Sequence, residues 1–72
     1  MRIDLINDNH VLVVVGKRRS GEPTFYIRSI LLHLYPKLDA PSMLRKLKDM
    51  EKRGLIRRIK SEHFKHSITW TH

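Results

Sequence analysis

The sequence predicts an α+β domain with three helices and a small C-terminal β-hairpin. Two of the helices are indicated by apolar residues at three- and four-residue spacing, one over residues 26–34 and one over residues 41–53. The hairpin is indicated by two short runs with β-branched and aromatic residues, 55–60 and 67–71, and Trp70 is expected to be in the core. A chain of 72 residues has room for one core, so the whole chain, 1–72, is expected to form a single domain.

The segment from Pro41 to Arg53 has the clearest helical pattern in the chain. Pro41 suits a first helical turn, where a missing N–H costs little, and Asp39 or, failing that, Ser42 can cap the helix. Gly54 ends it. At about 100° per residue, the apolar positions share one face that we expect to point to the core: Met43, Leu44, Leu47 and Met50.

The opposite face of this helix is polar and mostly cationic. Its members are Ser42, Arg45, Asp49 and Lys52, with Lys46 and Arg53 at its edges. Positive charge continues through the hairpin at Arg57, Arg58, Lys60 and Lys65. Most charged helix faces are simply solvated, but here the excess of cations runs through two consecutive elements. We therefore predict that these ten residues contact double-stranded DNA.

The composition restricts the class of partner. The chain carries 15 Lys and Arg against 7 Asp and Glu, a formal net charge of +8, which favours a polyanionic partner. Anionic membrane surfaces and acidic protein patches satisfy the same electrostatics. The chain has no cysteine, which fits a reducing cytoplasm and excludes disulfides. No signal peptide is recognisable, and the longest apolar run, 11–15, is too short to span a membrane, so we expect a cytoplasmic protein.

No constellation of residues suggests catalysis or a cofactor. A nucleophile with a base and an oriented partner is not recognisable, nor is a glycine-rich phosphate loop. His63, His66 and His72 lie close together in the sequence, but without cysteine or more acids nearby they are better interpreted as exposed imidazoles than as metal ligands. We expect no enzyme activity, no metal and no cofactor.

The first third of the chain allows two interpretations. In one, segments 3–6 and 11–15 are strands of a hairpin, as β-branched residues and an intervening polar turn suggest. In the other, a helix begins near Asn7 or Asp8 and ends at Arg18. A loop over residues 17–23 follows in either case, and 24–26 are expected to form a short strand.

Residues 43–56 resemble the recognition helix and first wing strand of winged helix-turn-helix DNA-binding domains, found in small prokaryotic and phage transcription regulators. The family has a recurring L-x-x-L-E-x-x-G-L-I run. The matching positions here are Met43, Leu47, Met50, Glu51, Arg53, Gly54, Leu55 and Ile56. The turn at 21–23 and the following residues are similar to the family's first strand and second helix, so the resemblance covers about residues 10–71. Leu44 departs from it, because that position is often small or polar in the family.

The resemblance implies a fold and a function. It favours the helix over the hairpin in the first third of the chain, and it implies a sequence-specific bacterial or phage regulator. Residues 41–53 would enter the major groove, and the wing, 55–71, would lie on the adjacent backbone. Arg45 is the best candidate for a bidentate guanine contact, and the other cations would hold phosphates.

A protein-interaction module is the alternative function, for example a phage protein that binds or inhibits a host factor. Its contact residues would be Tyr35, Phe64 and the valines of 11–15. A homodimer is also plausible, because a chain this short buries only about 60% of its unfolded surface and gains stability from association.

Overall fold

A computed structural model describes residues 1–60 and 68–72. A 3₁₀ turn (Ile3–Leu5) is followed in order by α1 (Asp8–Val15), β1 (Glu22–Pro23), α2 (Thr24–Leu31), α3 (Ala40–Lys52), β2 (Arg57–Ile59) and β3 (Thr69–Thr71). Within this part of the chain the architecture is α+β, with three α-helices and an antiparallel sheet of order β1-β3-β2. This arrangement is compatible with a winged helix.

Helix α1 confirms the helical interpretation of the first third of the chain. Asn7 caps it by accepting a hydrogen bond from the Asn9 N–H at 2.8 Å. Val11, Val14 and Val15 are buried, so core packing overrides the strand preference of a valine run. The helix ends at Val15 rather than at the predicted Arg18.

Helix α2 begins two residues earlier than predicted, which moves the first strand. Both the backbone N–H and the hydroxyl of Thr24 donate to the Ile68 carbonyl, at 3.0 and 2.9 Å. Strand pairing ends there and the helix begins, so β1 is Glu22–Pro23 instead of 24–26. The helix also ends earlier than predicted, at Leu31, and is followed by tight turns.

Helix α3 has nearly the predicted limits. Asp39 occupies its N-cap position, although its side chain makes no capping hydrogen bond, and Pro41 lies in the first turn. At the other end Gly54 has φ +79°, and the N–H groups of Gly54 and Leu55 donate to the carbonyls of Glu51 and Met50, both at 3.0 Å. This is a Schellman motif, which explains why the helix requires glycine at this end.

The sheet is organised around Trp70 on its central strand. Trp70 is fully buried, as predicted, with Glu22 opposite it on β1 and Arg58 opposite it on β2. Its indole N–H donates to the Thr24 hydroxyl at 2.8 Å. Gly21 has φ +83°, and a side chain there would meet the Trp70 carbonyl at 2.7 Å, so the approach to β1 requires glycine.

The Thr24 hydroxyl is expected to be important for stability. Thr24→Val should lower the free energy of unfolding by about 1–3 kcal/mol, because it leaves the buried Trp70 N–H without an acceptor. Thr24→Ser keeps the hydroxyl and should cost less than about 1 kcal/mol. Urea unfolding followed by Trp70 fluorescence measures both; equal stability of the valine and serine variants would contradict the assignment.

Candidate nucleic-acid interface

The exposed face of α3 is a cationic stripe made of Arg45, Lys48 and Lys52. These residues are three and four positions apart, so their side chains lie along one side of the helix, and all three are exposed. None of them forms a salt bridge with a described residue. Arg45 makes only a long hydrogen bond, 3.3 Å, to the Ser42 hydroxyl. The stripe is therefore cationic and exposed to solvent.

Ser42 and Lys46 do not point outward, and that part of the prediction is wrong. Ser42 is fully buried and donates to the Met1 carbonyl at 3.1 Å. Lys46 is 4% exposed, and its ammonium is 2.6 Å from Asp8 Oδ1. The cause is the N-terminal segment around the 3₁₀ turn, which packs against this side of α3. The helix therefore buries a wider arc than its apolar residues alone indicate.

Arg53 and Asp49 are exposed or half-buried, but they are engaged with each other and with α1. The Arg53 guanidinium lies 2.7 and 2.9 Å from the two carboxylate oxygens of Asp8, and its Nε donates to Asp49 at 3.0 Å. Hydrogen bonds from Arg53 and Lys46 hold the pKa of the Asp8 carboxyl well below its usual range, and Asp8 raises the pKa of Arg53. Arg53 is thus part of an ionic cluster that links α3 to α1.

The cations of the β2 strand fall into two groups. Arg58 is paired with Glu51 through two hydrogen bonds of 2.8 Å, and its guanidinium carbon lies 5.3 Å from the Trp70 ring centroid. The hydrogen bond from Arg58 lowers the pKa of Glu51. Arg57 and Lys60 are exposed, and Arg57 donates to the His72 carbonyl at 3.3 Å. Arg58 thus connects the hairpin to α3, while Arg57 and Lys60 are exposed cations of the hairpin.

Several predicted residues lie outside the described part of the chain. These are Lys65, which was predicted to contact DNA, together with Phe64, His63 and His66. Their roles remain predictions. Among the described residues, no group of three or more His, Cys, Asp or Glu side chains could hold a metal ion.

Lys48 belongs to the exposed stripe, although it is not among the residues predicted from the sequence to contact DNA. The signal was present, because Pro41, Arg45, Lys48 and Lys52 are spaced by four, three and four residues. When the sequence is projected onto a helix, the polar face of α3 is centred between Arg45 and Asp49. In the structure, the exposed cations are centred about 50° away around the helix, toward Lys48. The shift reflects the N-terminal segment, which covers the Ser42 side.

An apolar groove of about 570 Å³ borders the stripe at the beginning of α3. It is lined by Thr24, Phe25 and Arg28 of α2, by Ala40, Pro41 and Leu44 of α3, and by Ile68. Leu44 is half-buried and Ala40 is exposed, so the first turn of α3 presents hydrocarbon rather than polar groups to this groove.

No protein-family model, curated protein or solved structure matches the chain. A function is therefore inferred from its own residues. None of the helices in the described segments combines the length and apolar character needed to cross a membrane.

The ionic cluster at Asp8 is expected to make stability depend on acid pH. Asp8→Asn should lower the free energy of unfolding by about 1–3 kcal/mol at pH 7, because buried Lys46 loses its charged partner; the partial exposure of Asp8 and Arg53 limits the cost. The folded-state pKa of Asp8 is depressed. Its contribution is therefore present above the unfolded value of about 3.9 and is lost as the pH falls toward the folded value.

Chemical unfolding between pH 2 and pH 7 measures this effect. The variant should lose less stability on acidification than the wild type. Asp4→Asn is the matched control, because the Arg2–Asp4 pair is mostly exposed and should contribute less than about 1 kcal/mol. Parallel pH profiles for the wild type and Asp8→Asn would show that the cluster does not stabilise the fold.

Proposed function

We propose that the chain is a sequence-specific double-stranded DNA-binding regulator of transcription with a winged-helix fold. One observation carries the proposal: Arg45, Lys48 and Lys52 form an unpaired cationic stripe on the outward face of α3. Acidic side chains are absent from the centre of this stripe, and the hairpin that follows α3 carries further exposed cations, Arg57 and Lys60. A cytoplasmic location is consistent with this function.

The fold supports this proposal through its element order. The described elements run α1, β1, α2, α3, β2, β3, and the central strand of the sheet is the last one. In this arrangement residues 32–39 connect α2 to α3, and the hairpin follows α3. A winged helix uses such an order to place a recognition helix beside a wing, which is how the sequence resemblance interprets residues 41–53 and 55–71.

The dimensions of α3 suit the major groove. Its 13 residues span about 20 Å, and the B-DNA major groove, about 12 Å wide, admits one α-helix. Arg45 lies in the N-terminal half of the helix and is assigned to a base edge, with bidentate contact to guanine. Lys48, Lys52, Arg57 and Lys60 are assigned to phosphates.

The test of the proposal is selection of duplexes from a random pool at two salt concentrations. Enrichment of a short motif is expected, and an inverted repeat would indicate a twofold homodimer. Binding without enrichment would leave a non-specific DNA-binding protein, and the absence of binding at physiological salt would overturn the proposal.

Substitutions in the stripe should separate base reading from phosphate binding. Arg45→Ala should reduce discrimination at one base pair by about 1–3 kcal/mol. Lys48→Ala should weaken binding to all duplexes equally and reduce the slope of log K against log salt by about one. Lys17→Ala is the control, because it removes the same positive charge at a site that lies beside α1 and α2, away from the stripe. Equal effects of all three changes on every duplex would contradict these roles.

A protein-interaction module is the second candidate, and an apolar surface between α1 and α2 favours it. Val13 is 67% and Leu34 is 59% exposed, and both line a groove with Ile30 and the two histidines His10 and His33. Amide resonances distinguish the candidates. DNA binding should shift the resonances of Arg45 to Arg53, whereas a protein partner on this surface should shift those of α1 and α2.

A further inference from the structure

The groove at the beginning of α3 lies directly beside the cationic stripe. Pro41 is four residues before Arg45, and Leu44 is four residues before Lys48, so each apolar side chain is the neighbour of a cation on the helix surface. An element that lies on Arg45 and Lys48 therefore also meets Pro41 and Leu44. The two surfaces form one continuous face.

Two polar groups that line the groove, the Thr24 hydroxyl and the Arg28 Nε, are engaged within the protein. The Thr24 hydroxyl donates to the Ile68 carbonyl and accepts from the Trp70 indole N–H. The Arg28 Nε donates to the Leu38 carbonyl at 2.9 Å. What remains for a ligand is largely hydrocarbon, contributed mainly by Pro41, Leu44 and the partly buried Ile68.

The major-groove edge of a base pair carries one prominent apolar group, the C5-methyl of thymine. The unpaired cations at the rim of the groove complement a polyanion rather than an apolar peptide. We infer that Pro41 and Leu44 contact thymine methyl groups, so that the chain recognises a thymine next to the base pair contacted by Arg45. This inference rests on the proposed DNA-binding function and adds the chemical group that is recognised.

Replacement of thymine by deoxyuridine tests the inference directly, because it removes the methyl group and keeps every hydrogen-bonding group of the base. In the selected duplex, each thymine is replaced singly and the dissociation constant is measured. At one or two positions the affinity should fall about threefold to fourfold, as expected for about one buried methyl group. Thymines elsewhere in the duplex should tolerate the change.

The contribution of the Leu44 side chain is tested with the same thymine and deoxyuridine duplexes. At the thymine that Leu44 contacts, Leu44→Ala should bind the thymine and deoxyuridine duplexes equally, whereas Leu44→Met, which keeps an apolar side chain, should retain the difference. Leu55→Ala is the matched control, because Leu55 is a partly exposed leucine just beyond the helix and outside the groove lining. Trp70 fluorescence and urea unfolding establish that each variant is folded.

The outcomes separate the inference from the proposed function. A selected motif in which no thymine is sensitive to loss of its methyl group overturns the inference and leaves sequence-specific binding intact. Retention of the thymine preference by folded Leu44→Ala also overturns it. If a second copy of the chain occupies the groove, Leu44→Ala will reduce the oligomeric state in sedimentation and no methyl dependence will be seen. Absence of DNA binding, or binding without a motif, overturns the inference together with the proposed specificity.

Discussion

The burial of Trp70 is the constraint on which the rest of the structure depends. Its indole N–H fixes the Thr24 hydroxyl and therefore the first turn of α2, and its strand is the one that pairs with both others. Arg58 lies over its ring and connects through Glu51 to α3. A single aromatic residue near the end of the chain thus brings together the two helices and the hairpin that form the candidate interface.

The structure determines which charged side chains of the chain form salt bridges with each other and which do not. Most acidic side chains among the described residues are in salt bridges: Asp4, Asp8, Glu22, Asp49 and Glu51. Their partners, which include Lys46, Arg53 and Arg58, are thereby partly neutralised within the chain. The cations that remain on α3 form one stripe. The exposed cations of α3 therefore share one side of the helix and give it a local excess of positive charge.

The sequence was sufficient for α3 and for the strands of the C-terminal hairpin, but not for the position of β1 or for the detailed surface of α3. Gly54 and the apolar spacing predicted the helix and its end, because these are local properties of the chain. The burial of Lys46 depends on Asp8, 38 residues away, and no periodicity within α3 contains that information. Ser42 was placed outward for the same reason. The early start of α2 likewise depends on Ile68, far along the chain.

Helix α3 is held from two opposite sides. Lys46 and Arg53 bind Asp8 on one side, and Glu51 binds Arg58 about 150° around the helix on the other. Neither pair is an isolated surface contact, since Lys46 is buried and Arg58 lies over the Trp70 ring. Rotation of the helix would break both connections at once, so the direction of the stripe between them is fixed before any ligand arrives. A surface that distinguishes base pairs needs such preorganisation, because its flexible side chains must project from a rigid frame. A surface that only attracts phosphates does not need it.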